Sequence, residues 1–250
     1  MLKNERQTQI VDILINHDKY VTVKELCKML YASESSIRRD LTALETKGII
    51  KRSYGGAELV TNFSRVTSFN TRYNHNVAAK KAIAKKAASL IKDSSVIFLD
   101  QSSTAFFLAT EILDKSSLTI VTNNIEIMNL ISGTAINLIA SGGMLSTHNR
   151  TCFVGQDAER TFENIYADFV FFSTKSISYD GSIWDISKSE VDVRRPMIKN
   201  ASKKIFLCDS EKFGTHSPHK QCTLHDVDYL IAESEDALQF AKAANNLTIK

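Results

Sequence analysis

The chain reads as an α/β protein in which a small winged helix-turn-helix precedes a mostly parallel sheet covered by helices. Three observations lead there. Two short helices, the second of them basic, follow each other between residues 22 and 46. A turn-prone, glycine-containing segment separates two short extended runs directly behind them. Beyond residue 90, six apolar runs alternate with stretches of helical period.

Ile10, Ile13 and Leu14 give the first helix one apolar face. Thr22 and Glu25 form a capping box, each side chain covering an orphan amide, and open a helix through Leu26, Met29 and Leu30. Only Tyr31 and Ala32 separate it from the next helix, which makes a helix-turn-helix core. In that next helix Ile37, Leu41 and Leu44 form an apolar stripe at i, i+4 and i+7. Ser35, Arg39, Thr42 and Thr46 fall opposite it, with Ser36 and Arg38 alongside, while Asp40 and Glu45 are expected toward the flanks. A small, hydroxylated, cationic face suits the major groove, where base edges and phosphates call for donors without acids in the way.

Gly48 ends this helix. Ile49 to Arg52 and Glu58 to Val60, around a turn at 53–56, read as a two-stranded wing whose Lys51 and Arg52 reach backbone phosphates. The expected DNA-contacting set is Ser35, Ser36, Arg38, Arg39, Thr42, Lys51 and Arg52, and the expected partner is a double-stranded DNA operator. Residues 61–76 are rich in Asn, Ser and Thr without a sustained period, the mark of a linker. The following helix turns Ile83, Ala87, Leu90 and Ile91 to one face and Lys81 and Lys85 to the other, a wet face.

SVIFLD (95–100), LTIVTNN (118–124), INLIAS (136–141), ADFVFFS (167–173), KKIFLCD (203–209) and VDYLIAES (227–234) are continuous apolar runs, as expected for strands buried on both faces. Helices are expected between and after them at 104–113, 125–131, 156–165, 187–200 and 235–244. In open α/β sheets ligands collect beyond the carboxyl ends of the strands. Five of these runs exit into polar loops carrying Asp100, Ser102, Ser103 and Thr104; Thr122 and Asn123; Gly142; Lys175; and Asp209 and Lys212. A Ser-Ser-Thr run at a helix N-terminus offers amides, hydroxyls and the positive end of a macrodipole, which suits a phosphate. Lys212 adds a full charge, and Asp100 and Asn123 suit sugar hydroxyls.

Composition is that of a globular protein, with 43% apolar and 24% charged residues. Residues 1–57 hold ten of the 31 Lys/Arg and seven of the 28 Asp/Glu, so the whole net charge of +3 lies in the DNA-reading part. No apolar run reaches the roughly 20 residues of a membrane span and the N-terminus lacks a signal-peptide core, so a cytoplasmic protein is expected. Cys27, Cys152, Cys208 and Cys222 are scattered and read as reduced packing residues. His216, His219 and His225 surround Pro218 in a loop-like segment without a ligand pattern, so neither a metal nor a cofactor is expected. Glu190 and Arg194, four apart, read as an ordinary helix-surface pair, with Arg195 beside them.

The motifs S-x-x-[ST]-I-R-R-D-L from Ser33, L-E-x-x-G-I-I-x-R from Leu44 and Y-G-G-A from Tyr54 resemble the N-terminal signature of the DeoR family of bacterial transcriptional regulators. The second half resembles that family's effector-binding domain: Asp100 to Thr104 for D-x-G-T-T, Thr122-Asn123 for T-N, Gly142-Gly143 for G-G, and Asp209 to Gly214 for D-x-S-K-F-G. The resemblance implies a Rossmann-like fold related to ribose-phosphate isomerases and CoA transferases, in which phosphorylated sugars bind, and it puts Glu190, Arg194 and Arg195 near the pocket. The expected domains are residues 1–57, a linker at 58–76, and an effector-binding and oligomerisation domain at 77–250. Ser102 and Ser176 stand where the family usually has glycine, and Glu211 where it has a small or polar residue. An added side chain narrows the allowed backbone angles, which leaves an altered ligand, weak binding or a vestigial pocket open.

The leading expectation is a non-enzymatic regulator, a repressor of carbohydrate-metabolism genes that responds to a sugar phosphate and binds operators as a homo-oligomer, dimer or tetramer. A sugar-phosphate isomerase-like enzyme with a DNA-binding appendage, using Asp100, Asp209 and Lys212, and a constitutive DNA binder are the alternatives.

Overall fold

The computed structural model describes residues 3–16, 20–46, 49–53, 55–59, 69–147, 149–244 and 247–250. The chain forms two compact units, Met1–Arg72 and Tyr73–Lys250.

The first unit runs α1 (Lys3–Asn16), β1 (Tyr20–Thr22), α2 (Val23–Leu30), α3 (Glu34–Thr46), β2 (Ile50–Ser53) and β3 (Gly56–Leu59). The capping box at Thr22 is present, with Glu25 N donating to Thr22 Oγ1 at 3.2 Å and Thr22 N to Glu25 Oε2 at 2.8 Å. Tyr31 ends α2 in the left-handed region at φ 48°. Ile10, Leu14, Leu26, Ile37, Leu41 and Leu44 close one core among the three helices. The wing has a third strand that the sequence did not suggest, because β1 is short: the order is β1-β3-β2, all antiparallel. Gly56 makes this possible, since a Cβ there would lie 2.4 Å from the Val21 carbonyl oxygen.

Asp40 does not lie toward a flank. It sits at i+3 from Ile37 on the core side of α3, 1% exposed, where its carboxylate accepts from Arg6 Nε at 2.6 Å and Gln7 Nε2 at 3.3 Å. The stretch read as a linker is structured in part, because β3 continues to Leu59 and α4 (Phe69–Asn74) forms within it. Gly48, Tyr54, Val60 and residues 61–68 lie outside the described residues.

The second unit begins with α5 (Val77–Ala88), β4 (Val96–Leu99), α6 (Ser103–Thr110), β5 (Thr119–Thr122), α7 (Ile125–Ile131), β6 (Asn137–Ala140), β7 (Met144–Leu145) and β8 (Phe153–Val154). It continues with α8 (Gln156–Glu163), β9 (Ala167–Phe172), β10 (Ser176–Ile177), β11 (Ser182–Asp185), α9 (Lys188–Lys199), β12 (Ala201–Leu207), β13 (His219–Thr223), β14 (Tyr229–Ile231) and β15 (Thr248–Ile249). All six expected strands join a parallel sheet of order β15-β14-β12-β9-β4-β5-β6. Alternate residues feed two cores. Ile97, Leu99, Phe171, Ile205 and Leu207 pack with Ile83, Leu108 and Ile127 from α5, α6 and α7. Phe98, Val170, Phe172 and Phe206 pack with Phe162, Val193 and Met197 from α8 and α9. Helices on both faces are what make these runs continuously apolar.

Three expectations fail in detail. β6 is an edge strand with exposed residues, because only β5 pairs with it in the sheet. Residues 235–243 form a 3₁₀ helix, not an α-helix; Ala237 and Phe240, three apart, are its buried contacts, a period that suits three residues per turn. The segment around Pro218 is not all loop, since His219 begins β13, which pairs antiparallel with β11 in a small sheet of order β10-β11-β13.

Candidate functional sites

On α3 the residues expected to read DNA lie outward: Ser35, Arg38, Arg39, Thr42 and Thr46 are exposed, and Ser36 is half-buried. The face is pre-arranged by light contacts. Ser33 Oγ donates to Ser36 Oγ at 3.0 Å, and Arg38 Nη2 meets Glu34 Oε1 at 2.7 Å. Arg39 Nε donates to the Ser35 carbonyl at 3.3 Å. The wing is tied to the helix, with Arg52 Nη1 donating to Thr42 Oγ1 at 3.0 Å and Arg52 N to Glu45 Oε1 at 3.1 Å. Lys51 is exposed beside it. An exposed ion pair such as Arg38–Glu34 contributes little to stability, so the arginine can exchange its partner for a phosphate. Sequence reasoning passed over Tyr31, which is 97% exposed at the turn between the two helices.

In the second unit five adjacent strands, β12, β9, β4, β5 and β6, deliver their carboxyl-terminal loops side by side. Hydrogen bonds link four of the loops in sequence. Lys212 Nζ donates to Ser173 Oγ at 2.8 Å, and Ser173 N donates to Asp100 Oδ2 at 3.2 Å. The chain continues from Asp100 through its neighbour Gln101, whose Oε1 accepts from Asn123 Nδ2 at 3.4 Å. Asn123 Nδ2 also donates to the Phe153 carbonyl at 2.9 Å, while its Oδ1 is buried without a partner among the described residues. The fifth loop follows β6, where Ser141 N donates to the Thr122 carbonyl at 3.1 Å and Gly142 and Gly143 take φ of 63° and 101°. A Cβ on Gly143 would lie 2.8 Å from the Val154 carbonyl oxygen, so that turn needs glycine.

Lys212 Nζ also pairs with Asp209 Oδ2 at 2.9 Å. Burial opposes the charged form of each, but the partner's charge outweighs it, so the Asp209 carboxyl is held below and the Lys212 ammonium above its ordinary range. Ser103 and Thr104 lie buried in the first turn of α6, and their hydroxyls have no hydrogen-bond partner among the described residues. Thr122 is committed internally, donating to the Leu99 carbonyl at 2.7 Å and accepting from Asn124 N at 3.1 Å. Lys175 is exposed.

The two serines in place of glycine impose no strain. Ser102 has φ −76° and ψ 151° and caps α6, its Oγ accepting from Ala105 N at 3.0 Å. Ser176 lies in β10 and its Oγ meets Ser217 Oγ at 2.8 Å.

Behind the loops lies a buried ionic network that sequence reasoning missed. Glu190 and Arg194 do not pair on a helix surface. Arg194 is 1% exposed; its Nε donates to Asp100 Oδ2 at 2.9 Å, and its Nη1 reaches Asp185 Oδ2 at 3.1 Å and Gln221 Oε1 at 2.8 Å. Glu190 accepts from Gln101 Nε2 at 3.0 Å. Asp100 Oδ1 accepts from Ser102 N at 3.1 Å, so this fully buried carboxylate fixes the loop from within. The signal was the spacing: Glu190, Arg194 and Met197 share one buried helical stripe.

The segment entering α5 also reaches this region. His75 Nε2 and Glu211 Oε2 lie 2.5 Å apart, and Asn76 Nδ2 donates to Asp209 Oδ1 at 3.4 Å. Lys80 is 4% exposed and donates to the His75 carbonyl. Among the described residues no group of three or more His, Cys, Asp or Glu is placed to hold a metal ion, and no helix is long and apolar enough to cross a membrane.

Residues 6–63 match the model of the DeoR-like helix-turn-helix domain, and residues 75–234 that of the DeoR C-terminal sensor domain. The HTH-type transcriptional regulator GolR of Listeria innocua is 36% identical over 94% of this chain and 92% of its own length. The L-fucose operon activator of Escherichia coli is 32% identical over 93% of this chain and 96% of its own length. Among solved structures, a D-ribose-5-phosphate isomerase in complex with phospho-erythronic acid matches 54% of this chain and 52% of its own at 17% identity and a TM-score of 0.41. With both of its domains matched and relatives similar along nearly its whole length, the chain belongs to the DeoR family of transcriptional regulators.

Proposed function

We propose that this regulator represses carbohydrate-metabolism genes and that a phosphorylated sugar, bound at the carboxyl ends of the sheet strands, controls its hold on operator DNA. The observation that carries this reading is the bonded row of strand-end loops, with the Lys212 ammonium at one end and, at the other, Asn123 Oδ1, which has no partner among the described residues. In it, Ser103, Thr104 and the first turn of α6 take the phosphate and Lys212 neutralises it. Asn123 takes a sugar hydroxyl, Thr122 and Gly142 shape the wall, and Lys175 lies at the rim. Asp100 and Ser102 hold the loop rather than the ligand. Arg38, Arg39, Ser35, Ser36 and Thr42 read the operator with Lys51 and Arg52 on its backbone, and a homo-oligomer, dimer or tetramer, spans two half-sites in the cytoplasm. A relative named for the L-fucose operon supports the link to sugar genes.

Regulation is favoured over isomerisation because Asp209 and Lys212 neutralise each other and Asp100 is locked by Arg194, so none of the three is free to move a substrate proton. Calorimetry with a panel of sugar phosphates tests the site: one should bind, and Lys212→Ala should weaken it by about 1.5–3 kcal/mol, the range of a charge-assisted bond. Heat from none of the panel would sink the assignment, and turnover of any of them would favour the enzyme.

A further inference from the structure

We propose that the first turn of α5 is a two-state readout of the sensor site, in which Asn76 exchanges its bond to Asp209 for a cap on its own helix. The idea rests on the proposed site for its trigger, but the device stands on contacts within the second unit. Asn76 is the N-cap of α5, and asparagine is among the strongest capping residues. It does not cap. Its φ of 55° and ψ of 41° are left-handed and no side-chain cap bond forms, whereas Ser102, Asn124 and Ser187 cap α6, α7 and α9 from extended backbone at φ of −76°, −94° and −110°. The left-handed conformation is costly for most residues other than glycine and less so for asparagine, so at Asn76 the contacts of the side chain select it over the capping geometry.

The neighbour is the loop after β12. Asn76 Nδ2 donates to Asp209 Oδ1 at 3.4 Å, His75 meets Glu211 at 2.5 Å, and Lys80 from the same helix adds a cationic influence on Asp209. Asp209 is in turn positioned by Lys212, the residue that would meet a phosphate. A dianion drawing the Lys212 ammonium leaves Asp209 facing a like charge with its own cation shared. Asp209 then withdraws from Asn76. Released, Asn76 relaxes to extended backbone and its Oδ1 accepts from the amides of Ala78 or Ala79. The chain then enters α5 in a different direction, and with it His75, which joins α5 to the end of α4 at Asn74.

Amide hydrogen exchange on the full chain tests this in two arms. Without any anion, Asn76→Asp places a carboxylate opposite Asp209 and at a helix N-terminus, where it caps well. Exchange at Ala78 and Ala79 should slow roughly 5–30-fold relative to wild type, the factor expected for a gained cap, and that of 209–214 should quicken. Asn76→Gly accepts the left-handed angles but cannot cap, and should leave Ala78 and Ala79 as fast as in wild type. Equal exchange at these amides in the two variants overturns the proposal. In the second arm inorganic phosphate is added to wild type, and protection at 103–104 reports its binding. Slowing at 78–79 alongside that protection supports the coupling; protection at 103–104 with 78–79 unchanged overturns it. No protection anywhere counts against the phosphate site itself, and the first arm still decides the switch.

Discussion

Arg194→Met removes the cation that holds the sensor loops from behind. The arginine is 1% exposed and touches two carboxylates, Asp100 at 2.9 Å and Asp185 at 3.1 Å, that are themselves 0% and 9% exposed. Burial disfavours its charge, yet Asp185, Asp100 and Glu190 together raise its pKa. Methionine replaces the stem of the arginine as far as Nε and buries well, so most of the loss is electrostatic, with a smaller part from the space the guanidinium vacates. Removing one partner of a buried pair costs about 3–5 kcal/mol, most of it from the uncompensated charge left behind. For a unit of this size each kcal/mol moves the melting temperature by roughly 2–4 °C, so a drop of about 6–20 °C is expected. Calorimetric melting of the full chain should show that drop in the transition of the second unit alone. Asp185→Asn in the Arg194→Met background removes one stranded charge and should restore at least ~1 kcal/mol. A single variant within about 1 kcal/mol of wild type would refute the reasoning, because it would mean that the network is hydrated or dispensable.

Arg38→Ala and Arg39→Ala should each weaken operator binding; a base contact costs on the order of 1–3 kcal/mol, while a phosphate contact lowers the salt slope by about one, and unchanged binding in both would exclude α3 as the reading helix. Tyr31 is left-handed at φ 48° and 97% exposed, so its side chain has little packing to lose. Tyr31→Gly should therefore stabilise the first unit by about 0.5 kcal/mol in urea unfolding, the relief of strain less the added chain freedom, and a clear loss would reveal a hidden contact. The Cys222 thiol, half-buried in β13, is pushed up to about 12 by burial and then by Asp226. Alkylation at pH 8, followed by peptide mass spectrometry, should run at least about tenfold slower there than at a free thiol, and an ordinary rate would show that water reaches the sulfur.

The parallel sheet was legible because each long strand is a run of apolar residues feeding two cores, a pattern that needs no partner to be read. The small sheet was not. HKQCT is polar but for Cys222 and SIWD sets its two apolar residues side by side, so neither shows the period of two that marks a strand, and only pairing in register reveals them. The two buried charges were misread for a single reason: a charged residue was assigned to solvent by its type. Position held the better information. Asp40 shares the stripe of Ile37, Leu41 and Leu44, and Arg194 that of Met197, and a charge at a core position is expected to be paired. The strand-end loops were read by residue type and by their place after the strands; what sequence could not supply was which oxygens were already taken.

That distinction changes the meaning of the serine at position 102. Glycine would matter there if the loop needed positive φ, but Ser102 sits at −76° and its hydroxyl occupies the Ala105 amide at 3.0 Å. A capped amide is not available to a ligand. In a loop with glycine at this position that N–H would belong to the set of donors facing an anion; here it is satisfied internally, and α6 gains the stability of an N-cap. Ser103 and Thr104, whose hydroxyls have no partner among the described residues, then carry more of the recognition together with Lys212. Recognition in the proposed site thus shifts from backbone amides toward side chains, and side-chain hydroxyls, which both donate and accept, discriminate among the oxygens of a sugar phosphate more than amides that only donate.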